Sequence, residues 1–166
     1  MGSTPTLGTN HIAMDQLTLP PFSYKIKGPP DKPYIFDLLR KQYVRLTPEE
    51  WVRQHMIHYL IHYRQYPRGL MQSECTIDTQ GQRVDIFVYN NQKNPLMLIE
   101  CKAAKQKLTP LVIAQVMRYN TQQVPFIVCT NGKKHFCFQK QKNAQPYVLL
   151  KEIPTFAHIN EWSSYV

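Results

Sequence analysis

Apolar residues first recur at helical spacing between residues 48 and 64, where Trp51, Val52, Met56, Tyr59, Leu60 and Tyr63 share one side. Just ahead, Thr47 suits an N-cap, Pro48 suits the first helical position, and Glu50 completes a T-x-x-E capping box. Tyr66-Pro67-Arg68-Gly69 ends that helix. The pattern then changes to strand-like runs at 70–78, 82–90 and 95–103, parted by Asp78-Thr79-Gln80-Gly81 and Asn90-Asn91-Gln92-Lys93-Asn94. Thr109-Pro110 opens a second helix that runs to about residue 120 or 122. Strands return at 124–130, 134–140 and 146–152, with Asn131-Gly132 as a tight turn between the first two, and a short helix near 155–164 follows. Residues 35–43 fit a strand or a helical turn equally well. Residues 15–34 hold five prolines (Pro20, Pro21, Pro29, Pro30 and Pro33) and read as an extended arm. Residues 1–13 are small and polar and read as a leader, with Met14 as an alternative start. The chain thus divides into leader and arm (1–34) and one folded domain (35–166). Helix, three strands, helix and further strands place that domain in the α/β class, with a mixed central sheet flanked by helices.

The runs 82–90 and 95–103 form a hairpin. A turn centred between Gln92 and Lys93 sets Val88 against Met97, Phe87 against Leu98 and Asp85 against Glu100. Opposed residues in an antiparallel pair lie about 4.5–5.5 Å apart at Cβ, so two carboxylates stand side by side. Lys102, two residues past Glu100, points to the same face. Both faces of this hairpin are otherwise apolar, as a central element requires. Like charges so placed repel, and a divalent cation between them removes the penalty. Mg²⁺ takes one or two carboxylates and keeps several waters, and Mn²⁺ could replace it. Asp85 and Glu100 are therefore candidate metal ligands. Lys102 is the candidate for orienting water or stabilising charge on a phosphate. A plain salt bridge of Lys102 with either carboxylate is the bland alternative.

Other residues are weaker candidates. Glu50 is either a capping residue alone or a third acidic group at the metal, with Glu74 as its rival. Gln115 and Tyr119, four apart on the second helix, share a face, so Gln115 could place water or touch phosphate and Tyr119 could stack. His55, His58 and His62 share one helix, although a solvated face explains them as well as a metal triplet does. Lys105, Lys107 and Arg118 are candidate phosphate contacts.

Charge sharpens the choice of partner. The formal net charge of +9 favours an anionic partner, with nucleic acid first. No apolar run reaches the roughly 20 residues of a membrane span, and no secretory signal is visible, so a cytoplasmic location is expected. Cys75, Cys101, Cys129 and Cys137 form no CxxC pair and read as free thiols, most of them buried.

Several stretches together resemble one family: Arg45-Leu46-Thr47-Pro48-Glu49-Glu50, Arg83-Val84-Asp85-Ile86, Leu98-Ile99-Glu100-Cys101-Lys102, Gln115-Val116-Met117-Arg118-Tyr119 and Thr130-Asn131-Gly132. That family is the amino-terminal nuclease domain of type I restriction enzyme R (HsdR) subunits, a branch of the PD-(D/E)XK nucleases. The resemblance implies a restriction-endonuclease-like αβββαβ core and Mg²⁺-dependent endonuclease action on DNA. RNA cleavage would use the same groups. It puts Asp85, Glu100 and Lys102 in the catalytic motif, makes Glu50 the first-helix acidic residue, and makes Gln115 with Tyr119 a QxxxY element. It also implies restriction-system partners, and a homodimer would suit double-strand cleavage. Two departures stand out. Arg83-Val84 precedes the aspartate where the motif name has proline, and no GxxxxGK[ST] motor motif occurs. The alternative is a nuclease-fold module that binds nucleic acid or a complex without cutting.

Overall fold

A computed structural model describes residues 14–76, 81–118, 120, 123–141 and 147–163. The arm leads into a three-stranded antiparallel sheet of β1 (Ile26–Lys27), β2 (Tyr34–Asp37) and β3 (Gln42–Arg45). The ambiguous stretch 35–43 is therefore strand, turn, strand, with Lys41 in the left-handed region at φ 55°. The expected boundary between residues 34 and 35 falls inside β2, so the end of the arm belongs to this sheet.

Helix α1 (Pro48–Arg64) starts where the cap signals placed it, and the Thr47 side chain accepts the Glu50 backbone N–H at 3.1 Å. Only half of the capping box is present, because the Glu50 carboxylate turns to side chains instead. Gln65, left-handed at φ 61°, ends the helix. Residues 50–57 of α1 are buried all round, since the small sheet and arm cover one side and the main sheet the other. Tyr63, expected on the apolar side, is exposed.

The main sheet has six strands in the order β4 (Met71–Thr76), β5 (Arg83–Tyr89), β6 (Pro95–Cys101), β7 (Phe126–Thr130), β8 (His135–Lys140) and β9 (Tyr147–Leu150). Neighbours are antiparallel except β6 and β7, which run parallel across a connection that carries α2 (Pro110–Arg118). A parallel pair needs such a crossover, because a hairpin cannot reverse the chain twice. Helices α1 and α3 (Phe156–Ser163) pack on one face around Val52, Met56, Leu60, Ile86, Met97 and Ile99. Helix α2 covers the other face through Val116 over Phe87, Leu98 and Ile127. This is the mixed, helix-flanked sheet of a restriction-endonuclease-like core. Cys101, Cys129 and Cys137 are buried free thiols, whereas Cys75 is half-buried. No helix among the described residues is long and apolar enough to cross a membrane.

The arm is anchored across the molecule. Thr18 N–H donates to Gly132 O at 2.9 Å, and Leu17 covers Gly132 in the turn between β7 and β8. Gly132 has φ 77°, and an added Cβ would lie 2.8 Å from Leu17 Cδ2. Gly132→Ala is expected to lower stability by about 1–2 kcal/mol, the strain of a left-handed non-glycine residue. A urea melt reads this, and an unchanged midpoint would show that the turn relaxes freely.

Candidate active site

The site lies at the end of the β5–β6 hairpin remote from its turn. The ladder pairs Ile86 with Ile99, Phe87 with Leu98 and Val88 with Met97, as a turn centred between Gln92 and Lys93 required. A register shift at Val88/Tyr89 stays on the turn side, so it does not disturb the next pair inward. One further step in the same register sets Asp85 beside Glu100. There the strands part, and Asp85 Oδ2 accepts the Cys101 N–H at 2.6 Å, so a side chain replaces a main-chain acceptor. Lys102 Nζ donates to Glu100 Oε1 at 2.7 Å. The Lys102 N–H donates to Thr130 O at 2.8 Å, which fixes the lysine to β7.

The electrostatics follow from burial. The side chains of Asp85 and Glu100 are 14% and 13% exposed. Burial first, and the neighbouring Asp85 second, push the Glu100 carboxyl up to about 7, partly offset by Lys102. Burial disfavours the Lys102 ammonium, but Glu100 and then Asp85 outweigh it and raise its pKa, so the amine is charged at neutral pH.

A second part of the site was not visible in the sequence. Arg53 on α1, 8% exposed, points its guanidinium at the same end of the sheet. Its Nη1 bonds Glu50 Oε2 at 2.6 Å, and its Nη2 reaches Glu74 Oε1 at 2.6 Å and Asp85 Oδ1 at 2.5 Å. Burial opposes the charge on Arg53, yet Asp85 and then Glu50 prevail and raise its pKa. Glu50 is also held by Arg40 at 3.1 Å and by Gln54 at 2.8 Å, and Arg40 is fixed in turn by buried Asp37 at 2.6 Å. Pairing between β4 and β5 runs from Ser73–Ile86 to Cys75–Val84 and skips Glu74 and Asp85. Glu74 sits at φ 54°, a left-handed position that is strained for a residue with a Cβ. The two skipped residues are the two that turn to Arg53. The i,i+3 spacing of Glu50 and Arg53 marks that one pair in the sequence, but nothing local marks Glu74 and Asp85 as its partners. Arg40 and Asp37 lie in the stretch whose structure was ambiguous.

The remaining candidates are dispersed. Gln115 and Arg118 are exposed on α2, and Lys105 and Lys107 are exposed on the preceding loop. Tyr119 lies outside the described residues. Among the described residues the three histidines form no metal-binding group, because His55 Nδ1 bonds Trp51 O at 3.0 Å while His58 stacks on Phe22 of the arm and on His62. Burial, then His62 and His55, push His58 down to about 4.

Among the described residues no three His, Cys, Asp or Glu side chains form a metal-binding group. Mg²⁺ needs fewer: one or two carboxylates with water suffice, and oxygen donors suit Mg²⁺ or Mn²⁺. The charge balance fits as well. With every carboxylate ionised, five of them (Asp37, Glu50, Glu74, Asp85 and Glu100) meet three close cations (Arg40, Arg53 and Lys102) and the largely exposed Arg83, 3.6 Å from Glu74, so negative charge is in excess. A divalent ion would offset that excess, and the raised Glu100 pKa marks where it is felt.

Comparison with known proteins gives one family. A family model described as type I restriction enzyme R protein N terminus (HSDR_N) matches residues 48–154, from the start of α1 to just before α3. No curated protein matches the chain.

Proposed function

The chain belongs to the family of type I restriction enzyme R protein N termini, and from that premise we propose that it is a metal-dependent endonuclease that hydrolyses DNA phosphodiester bonds. One observation carries the reading: two largely but not fully buried carboxylates, Asp85 and Glu100, share the end of a hairpin with a charged lysine. An isolated salt bridge does not require the second carboxylate, whose presence costs stability. Asp85 and Glu100 would hold the divalent ion, and a bound ion of this kind acidifies water and polarises a phosphate.

The chain's own groups supply the rest. Asp85 is held in a fixed orientation by the Cys101 N–H and by Arg53. Lys102, tethered to Glu100 and to β7, brings a fixed positive charge to the place where negative charge builds on the scissile phosphate. Lys105, Lys107 and Arg118 are exposed on the segment that follows and offer phosphate contacts, and Gln115 is exposed on α2 as well. The net charge of +9 supports a polyanionic substrate. A cytoplasmic setting with restriction-system partners suits this activity.

The test is plasmid cleavage with Mg²⁺ or Mn²⁺ against a chelator control, alongside Asp85→Ala and Lys102→Ala. Wild-type cutting that falls at least about a hundredfold in both variants is the expected result. Equal cutting by all three proteins would assign the activity to a contaminant. Gel shifts without cutting would favour a nuclease-fold binding module. One feature supports that second reading: both Asp85 oxygens already have protein partners.

A further inference from the structure

Arg53 is the least expected charge in the molecule. It is buried on α1, yet its guanidinium meets three carboxylates from three elements: Glu50 on α1, Glu74 on β4 and Asp85 on β5. A guanidinium is planar and permanently charged, and its fork matches carboxylates held at fixed angles. Resting on the nuclease reading above, we propose that Arg53 is a built-in counter-ion that withdraws Glu50 and Glu74 from the metal. The site is thereby a single-ion site at Asp85 and Glu100.

Three observations carry this. First, both Glu50 oxygens are taken: Arg40 and Gln54 hold Oε1, and Arg40 and Arg53 hold Oε2. Second, Glu74 leaves the β4–β5 ladder at a strained φ of 54° and meets Arg53 at 2.6 Å. Third, Asp85 meets Arg53 through Oδ1 alone, at 2.5 Å, and its Oδ2 faces a neutral backbone N–H, whereas the second oxygen of Glu74 faces Arg83 at 3.6 Å; Glu100 pairs with Lys102 instead. A second divalent ion would have to displace a buried guanidinium from its carboxylates. Arg53 is thus a positioning residue, since it acts on Asp85 and touches no reacting atom.

The arrangement also gives the residues before the family match a role in the site. Asp37 holds Arg40 at 2.6 Å, and Arg40 reaches Glu50 at 3.1 Å. The small sheet therefore locks the far side of the same network.

The experiment counts Mn²⁺ bound per chain by electron paramagnetic resonance and measures the midpoint by calorimetry. It compares wild type, Arg53→Gln, Glu74→Gln and Asp85→Asn, each checked for folding by circular dichroism. Wild type is expected to bind one Mn²⁺, with that binding lost in Asp85→Asn. Removing the guanidinium charge beside the ion should tighten Mn²⁺ at least about tenfold or admit a second ion. If Arg53→Gln cuts at all, it should cut more slowly although it binds metal better, a split that general loss of structure does not produce. Glu74→Gln should leave the Mn²⁺ midpoint within about threefold, since loss of a ligand costs tenfold or more. Two Mn²⁺ in wild type, an unchanged count and midpoint in Arg53→Gln, or a tenfold weakening in Glu74→Gln would each overturn the proposal. No Mn²⁺ on wild type, or equal binding by Asp85→Asn, would instead sink the nuclease reading itself.

Discussion

Glu100→Gln is expected to make the metal-free protein more stable at pH 8.5 by about 3 kcal/mol while abolishing cleavage. The Glu100 carboxyl titrates near 7 in the fold, against an ordinary value of 4.5, chiefly because it is buried and next to Asp85. The sign follows. A group whose folded pKa is raised contributes stability that is fully present below its unfolded pKa and lost as pH rises through the folded value. The fold therefore holds a neutral Glu100 comfortably near pH 4.5, and it bears an unfavourable buried charge once pH passes 7. The gap between 4.5 and about 7, at roughly 1.4 kcal/mol per pH unit, sets the size. The glutamine variant would keep the shape and carry no charge there, so its stability would not fall across that window. Urea unfolding of both proteins at pH 5 and pH 8.5, in chelator, measures the difference. Mg²⁺ added at pH 8.5 should restore wild type and do little for the variant, since binding to the native state alone stabilises it. Parallel pH profiles would mean that Glu100 is neither shielded from water nor crowded by Asp85.

Arg53→Ala should be the most damaging single truncation near the site, with a loss of about 3–5 kcal/mol at neutral pH. The deleted guanidinium leaves Glu50, Glu74 and Asp85 without their shared cation, and buried uncompensated charge is far more costly than a lost surface pair. Such a loss is a large part of the roughly 5–15 kcal/mol that holds a typical domain together. Arg83→Ala is the contrast. Arg83 reaches the same Glu74, but at 3.6 Å and largely in solvent, so its removal should change stability by less than about 1 kcal/mol. Chemical denaturation of the two variants side by side tests the ranking. Equal small losses would mean that water enters the cluster and screens it.

Much of the core was legible because its determinants are local. The loop between β5 and β6 is short, so a turn centred between Gln92 and Lys93 set which residues oppose each other. The pairing of Ile86 with Ile99 follows from that turn position, and the adjacency of Asp85 and Glu100 follows from it in turn. Thr47 and Pro48 marked the start of α1 because cap chemistry is also local. Residues 35–43 resisted for the same reason inverted. Their strands are paired chiefly with each other and with the arm, and they close on a turn that Lys41 enters at positive φ, for which no glycine gave a sign.

By itself, then, the sequence determined the α/β class, the order of most elements, the capped start of α1 and the juxtaposition of Asp85, Glu100 and Lys102, because nearest-neighbour spacing and side-chain periodicity suffice for these. Only the tertiary structure decided where the Glu50 carboxylate goes and what surrounds it. The network from Asp37 through Arg40, Glu50 and Arg53 to Glu74 and Asp85 joins the small sheet, a helix and two strands of the main sheet. Its geometry depends on how α1 docks across the sheet, and docking is set by the whole packed core. A charge on a helix gives no sign in sequence of whether water or three carboxylates will face it.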